Sequence, residues 1–251
     1  MVRAYSVTDI GKKRQINQDC VDISLTPVGN LPNLFLLADG MGGHKAGDYA
    51  SRYAIDTVKN EVNVSPQTNP VHIFAEAIEY ANAHLYEKSI SDANFSGMGT
   101  TLVAATCIDN KLNVANIGDS RLYLVRQNKM VQVTKDHSYV AELVQKGGID
   151  RETAKNHPKR NYITRAVGAF EKANPDFFYV ETKPGDVILI CSDGLTNMIS
   201  DEEILSIIYQ EDDLEFTCNK LIQAANEKGG IDNISVILVK TAEAGKENAS
   251  L

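Results

Sequence analysis

The chain has 251 residues, 43% of them hydrophobic, and a formal net charge of −8 at pH 7. That length carries one large domain with a real core, or two small ones. The acidic balance speaks against nucleic acid as the main partner, because a phosphate backbone demands a basic surface. No apolar run approaches a membrane span and the opening MVRAYSVTDIG lacks a signal-peptide apolar region, so a cytoplasmic protein with no membrane partner is expected.

Strand-like apolar runs fall at residues 4–8, 20–25, 34–38, 100–107, 112–117, 121–126, 131–133, 177–180, 187–191 and 234–239. Short turn signals separate several neighbours: Asp109-Asn110, Gly118-Asp119-Ser120 and Pro184-Gly185-Asp186. Links this short join antiparallel strands, whereas parallel strands need long crossovers. Helical periodicity runs over 47–62, with Ala50, Ala54 and Val58 on one face, and over 69–89, with Ile73, Ala77, Ala81 and Leu85. A second helix pair is expected at 201–209 and 213–228. Ser200 and Glu203 form a capping box for the first, and Gly229 stops the second.

Helices gathered in two blocks among antiparallel strands indicate an α+β fold: two sheets packed face to face, each covered by a helix pair. Residues 139–165 form a less apolar insert, rich in Lys146, Arg151, Lys155, Lys159, Arg160 and Arg165. Such a segment suits an anionic ligand or, equally, a solvated helical face. The stretch from 241 to 251 is small and polar and reads as a disordered tail. Cys20, Cys107, Cys191 and Cys218 show no CxxC spacing and read as reduced apolar residues, not zinc ligands.

Four aspartates share a placement, where an apolar run meets glycine, asparagine or serine: Asp39 in LFLLADGMGG, Asp119 in VANIGDSRLYLV, Asp193 in VILICSDGL and Asp232 in GGIDNISVILVK. Singly, each could be an ordinary turn aspartate. Together they place carboxylates at strand ends, half in the core, where unpaired burial and mutual repulsion are costly. A hard divalent cation with oxygen ligands relieves both. Arg14, five residues before Asp19, offers a planar bidentate fit to phosphate.

With ADGMGGH, GTT, GDSR, SDG and GIDN in this order, the chain resembles the metal-dependent serine/threonine protein phosphatases of type 2C, most closely compact bacterial members. The resemblance spans about residues 5–240. It implies a four-layer αββα sandwich with a flap at about 139–165. It further implies two central Mn²⁺ or Mg²⁺ ions and a weaker third. By matching position, Asp39 is the bridging metal ligand, Gly40 a backbone-carbonyl ligand, and Asp193 and Asp232 the remaining ligands of the pair. Asp119 belongs to the third ion. Asp19 orients water from the second layer, and Arg14 binds phosphate.

The implied activity is hydrolysis of phosphoserine and phosphothreonine in proteins by a metal-bound hydroxide at the dinuclear centre. The implied partners are phosphoproteins made by a bacterial Hanks-type kinase, and the kinase itself, with the phosphatase a monomer. Two departures stand out. Met41 replaces a histidine that many animal relatives use as proton donor, leaving His44 or a metal-bound water for that role. Gln18 replaces a glutamate that binds metal through water. His72 and His84 read as structural, while His137 and His157 flank the flap and could meet substrate. Alternative readings are a catalytically silent phosphoprotein-binding module, a small-ester two-metal phosphatase or, against the charge, a nuclease.

Overall fold

The computed structural model describes residues 2–43 and 45–241, without the side chains of residues 151 and 155. The chain opens with β1 (Val2–Asp9), β2 (Asp19–Ser24) and β3 (Leu34–Met41), then helices α1 (Ala46–Val64) and α2 (Pro70–Ser91). There follow β4 (Gly99–Thr100), β5 (Leu102–Ile108), β6 (Lys111–Ile117), β7 (Arg121–Arg126) and β8 (Lys129–Gln132). Short helices α3 (Tyr139–Gln145) and α4 (Arg151–Lys155) precede β9 (Asp176–Glu181) and β10 (Val187–Cys191). Last come α5 (Asp193–Thr196), α6 (Asp201–Gln210), α7 (Leu214–Glu227) and β11 (Ile234–Thr241).

The strands form two sheets, ordered β1-β11-β10-β7-β8 and β2-β3-β5-β6-β9, with β4 paired to β3. All these pairings are antiparallel. The period-2 rule explains the layering along β3. Leu34, Leu36 and Ala38 turn toward α1 and α2, whereas Phe35 and Leu37 meet Ile188, Ile190, Ile237 and Val239 of the facing sheet. Ile204, Ile208, Leu221 and Ala225 of α6 and α7 cover the other side of that second sheet. The result is the expected αββα order, with β3, β5, β10 and β11 buried on both faces and therefore almost continuously apolar.

Local signals hold at the helix ends. Asn69 caps α2 by accepting the Val71 N–H, Ser200 and Glu203 form the reciprocal capping box of α6, and Gly229, with φ +131°, follows α7. Asp109-Asn110 is a hairpin turn with both residues at positive φ, the arrangement that matches strand twist.

The other two short links differ from expectation. Gly118-Asp119-Ser120 and the Pro184-Gly185-Asp186 turn each carry the chain from one sheet to the other, since β6 and β9 lie in one sheet and β7 and β10 in the facing one. A link of a few residues can close a hairpin or step across the gap between packed sheets, and sequence length does not separate the two. The step at 118–120 brings Asp119 to the open edge between the sheets. β11 extends through Thr241, the first residue of the expected tail, and 242–251 lie outside the described residues. Among the described residues no helix is long and apolar enough to cross a membrane.

Candidate metal centre and phosphate site

Asp39 sits near the end of β3, directly opposite Asp19 on β2. Its backbone N–H donates to the Thr101 hydroxyl at 2.9 Å, and that hydroxyl lies 2.7 Å from Ser120 Oγ. The run 100–107 is therefore broken at Thr101, whose side chain takes a ladder bond and links β3 to the Asp119 turn. Asp193 opens α5 immediately after Ser192 and accepts from Asn197 Nδ2 at 2.9 Å. Asp232 precedes β11, with Asn233 N–H on Oδ1 and Arg14 Nη2 on Oδ2 at 2.8 Å.

Two residues that sequence reasoning gave no role bind the two sheets together here. Ser192 donates to Asp19 Oδ2 at 2.7 Å while accepting the Ser235 N–H. Asn233 accepts the Gln18 N–H and donates to the carbonyls of Ile10 and Ile16. Their signal was adjacency: each neighbours a motif aspartate. The glycines of the motifs have a steric cause. A Cβ on Gly40 would stand 2.0 Å from Gly47 O, and one on Gly194 would stand 1.9 Å from Asn233 O. Neither position tolerates a side chain without moving backbone.

The electrostatics record the convergence. Burial first, then the charges of Asp19, Asp193, Asp119 and Asp232, hold the Asp39 carboxyl well above the usual carboxylate range. Burial, then Asp119, Asp232 and Asp19, does the same to Asp193. Burial pushes Asp119 up to about 6, with Asp136 adding repulsion and Arg121 opposing it. Asp19 also rises to about 6, chiefly through burial, although hydrogen bonds from Ser235 and Ser192 pull the other way.

Among the described residues, no three His, Cys, Asp or Glu side chains are drawn together as a ready-made metal cage. The fit to a cation therefore rests on the donor set. Carboxylates from four separate stretches repel one another around Asp39, and the buried Asp19 Oδ1 has no hydrogen-bond partner. All these donors are oxygens, the set that hard divalent cations such as Mn²⁺ or Mg²⁺ favour.

The other expected site residues separate. Arg14 is half-exposed and points into the cluster through its Asp232 contact. His44 lies outside the described residues. His84 is exposed on α2 against Tyr80, as expected of a structural histidine. His157 packs on Tyr139 and accepts the Lys159 N–H. His137, read as able to meet substrate, is instead buried with its ring nitrogens engaged. Much of the basic segment 139–165 is locally satisfied: Lys146 faces Glu142, Lys159 lies over Tyr139 and Tyr162, and Arg165 pairs with Asp176.

Residues 11–229 match the family model described as "Protein phosphatase 2C". The chain is 40% identical over 245 residues to protein phosphatase PhpP of Streptococcus pneumoniae, covering 96% of this chain and 98% of that protein. It superposes on the serine/threonine phosphatase of S. agalactiae with a TM-score of 0.90 and 36% identity, over 96% of this chain and 100% of that one. The catalytic domain of the serine threonine protein phosphatase PstP, in complex with two manganese ions, gives a TM-score of 0.85 and 33% identity over 96% and 99%. The chain belongs to the protein phosphatase 2C family, whose members are metal-dependent serine/threonine protein phosphatases.

Proposed function

We propose that the chain dephosphorylates phosphoserine and phosphothreonine in proteins at a dinuclear Mn²⁺ or Mg²⁺ centre, and that it reverses a Hanks-type serine/threonine kinase. The observation that carries this reading is the convergence of Asp19, Asp119, Asp193 and Asp232 on Asp39. Asp39, the Gly40 carbonyl, Asp193 and Asp232 would hold the central pair, and Asp119 with Asp193 a weaker third ion. When bound, the ions supply charge neutralisation for the phosphoryl group and acidify a water molecule.

The chain's own residues do the rest. The Arg14 guanidinium, now on Asp232 Oδ2, has the planar fork that matches two phosphate oxygens. Asp19, fixed through Oδ2 by Ser192, keeps Oδ1 free to accept a proton from water. Ser192 and Asn233 hold the two sheet edges at one spacing, so positioning is built in before substrate arrives. The four cysteines are free, which supports a cytoplasmic setting.

Incubation with a phosphothreonine peptide and Mn²⁺ tests the reading. Phosphate release that a chelator abolishes is expected. Manganese binding without any release would favour a silent binding module and overturn the proposal.

A further inference from the structure

The segment Thr134–Lys135–Asp136–His137–Ser138 lies next to the catalytic edge, and the chemistry above gives it no part. In the structure it is bonded along its length to residues 116–122, the stretch that carries Asp119. Asn116 Nδ2 donates to Lys135 O at 3.0 Å, the Leu122 N–H donates to Thr134 Oγ1 at 3.0 Å, and Arg121 grips Asp136 through Nε and Nη2.

His137 occupies the centre of this contact, and all its polar groups are engaged. It is 5% exposed. Its N–H donates to Gly118 O at 2.9 Å, and its carbonyl accepts the Thr164 N–H at 2.8 Å, where the flap returns. Ring Nδ1 accepts the Gly118 N–H at 3.2 Å, so in the neutral imidazole the proton sits on Nε2. Nε2 stands 3.3 Å from Asp176 Oδ2, an acceptor for that proton. Arg165 Nη1 is 3.4 Å from the same Nε2. Two donors cannot bond each other, and the guanidinium instead donates to Asp176 Oδ1 at 2.9 Å. The charged groups facing the ring are thus Asp176 on β9, Arg165 at the flap's return and Asp136 beside it in sequence.

We propose that His137 is a positioning residue that couples the flap to Asp119. One edge of the neutral ring fixes the turn that aims Asp119, and the other edge fixes the flap's return through Asp176 and Arg165. The inference rests on the metal reading of Asp119 and assigns a structural cause to its orientation. A proton on Nδ1 would remove the acceptor for Gly118 and release the turn; burial and Arg165 hold the ring neutral by lowering its pKa from 6.5.

Nitrogen-15 spectra of the imidazole in metal-free protein test the clamp directly. A neutral ring protonated on Nε2, persisting below pH 6.5, is expected. A ring protonated on Nδ1, or one titrating freely at 6.5, would overturn it.

Two substitutions then separate the edges, with para-nitrophenyl phosphate and a phosphothreonine peptide as substrates. His137→Gln leaves no acceptor for the Gly118 N–H. It should weaken the third, weaker Mn²⁺-binding step in calorimetry and slow turnover of both substrates by about tenfold. His137→Asn restores an acceptor near Nδ1 but cannot reach Asp176. It should recover most of the small-ester rate while the peptide KM rises above the parent's. Equal losses in both variants, tracking their melting temperatures, would reduce His137 to a packing residue. If the parent protein binds no manganese, the metal reading fails while the ring spectrum still decides the clamp.

Discussion

Asp19 and Asp39 face each other as directly paired residues of β2 and β3. Like charges opposed on neighbouring strands destabilise a sheet, and burial adds to the cost. The fold retains the pair, so stability is linked to pH and, on the proposed metal reading, should respond to Mn²⁺. Asp19 and Asp119 are raised from 3.8 to about 6 in the folded state. A carboxyl raised on folding stabilises below its unfolded pKa and loses that contribution as pH rises through the folded value. Chelated protein should therefore lose stability between about pH 4 and pH 7. Saturating Mn²⁺ should flatten that slope in urea titrations.

Metal binding should likewise release protons from about pH 6 upward, because the raised carboxyls of Asp119, Asp39 and Asp193 must ionise to become ligands. Calorimetry in buffers of different ionisation enthalpy reads the count, and manganese affinity should weaken as pH falls from 7 to 5.

Asp193→Asn would remove a proposed ligand of the central pair with little change in side-chain volume. Turnover should fall by at least about a hundredfold with the fold retained. The same change removes one repulsive charge from around Asp39, so the metal-free variant should melt no lower than the metal-free parent. Circular dichroism with a phosphate-release assay checks both halves.

Asp119→Asn is expected to act differently. The central pair should bind normally while turnover slows by about tenfold. A rate equal to the parent's would remove the third ion from the reading.

Arg14 is half-exposed and, among the described residues, meets the cluster through Asp232. Arg14→Ala should leave the melting temperature unchanged while weakening inhibition by inorganic phosphate about tenfold. A lysine there should recover part of the charge but not the two-point fit.

Much of this arrangement was legible because it follows from periodicity. The continuous apolar run at 34–38 marked β3 as a buried strand, and Ala50, Ala54, Val58 and Ile73, Ala77, Ala81, Leu85 marked the buried helix faces correctly. The motif aspartates were legible as a set because each ends or borders a strand. What stayed hidden depends on partners distant in sequence. Ser192 finds Asp19 across 173 residues, and Asn233 finds Gln18 across 215. A serine or asparagine beside a strand carries no mark of such a partner. The step of Gly118-Asp119-Ser120 between sheets was hidden for a related reason: its length fits a hairpin equally well. His137 was misplaced because a histidine flanking a flap looks the same in sequence whether it faces solvent or core.

The dinuclear centre is tested most directly by anomalous scattering from crystals soaked in Mn²⁺. Two strong peaks sharing Asp39, with a weaker third beside Asp119, is the expected result. Well-ordered carboxylates with no peak beside Asp39 would contradict it.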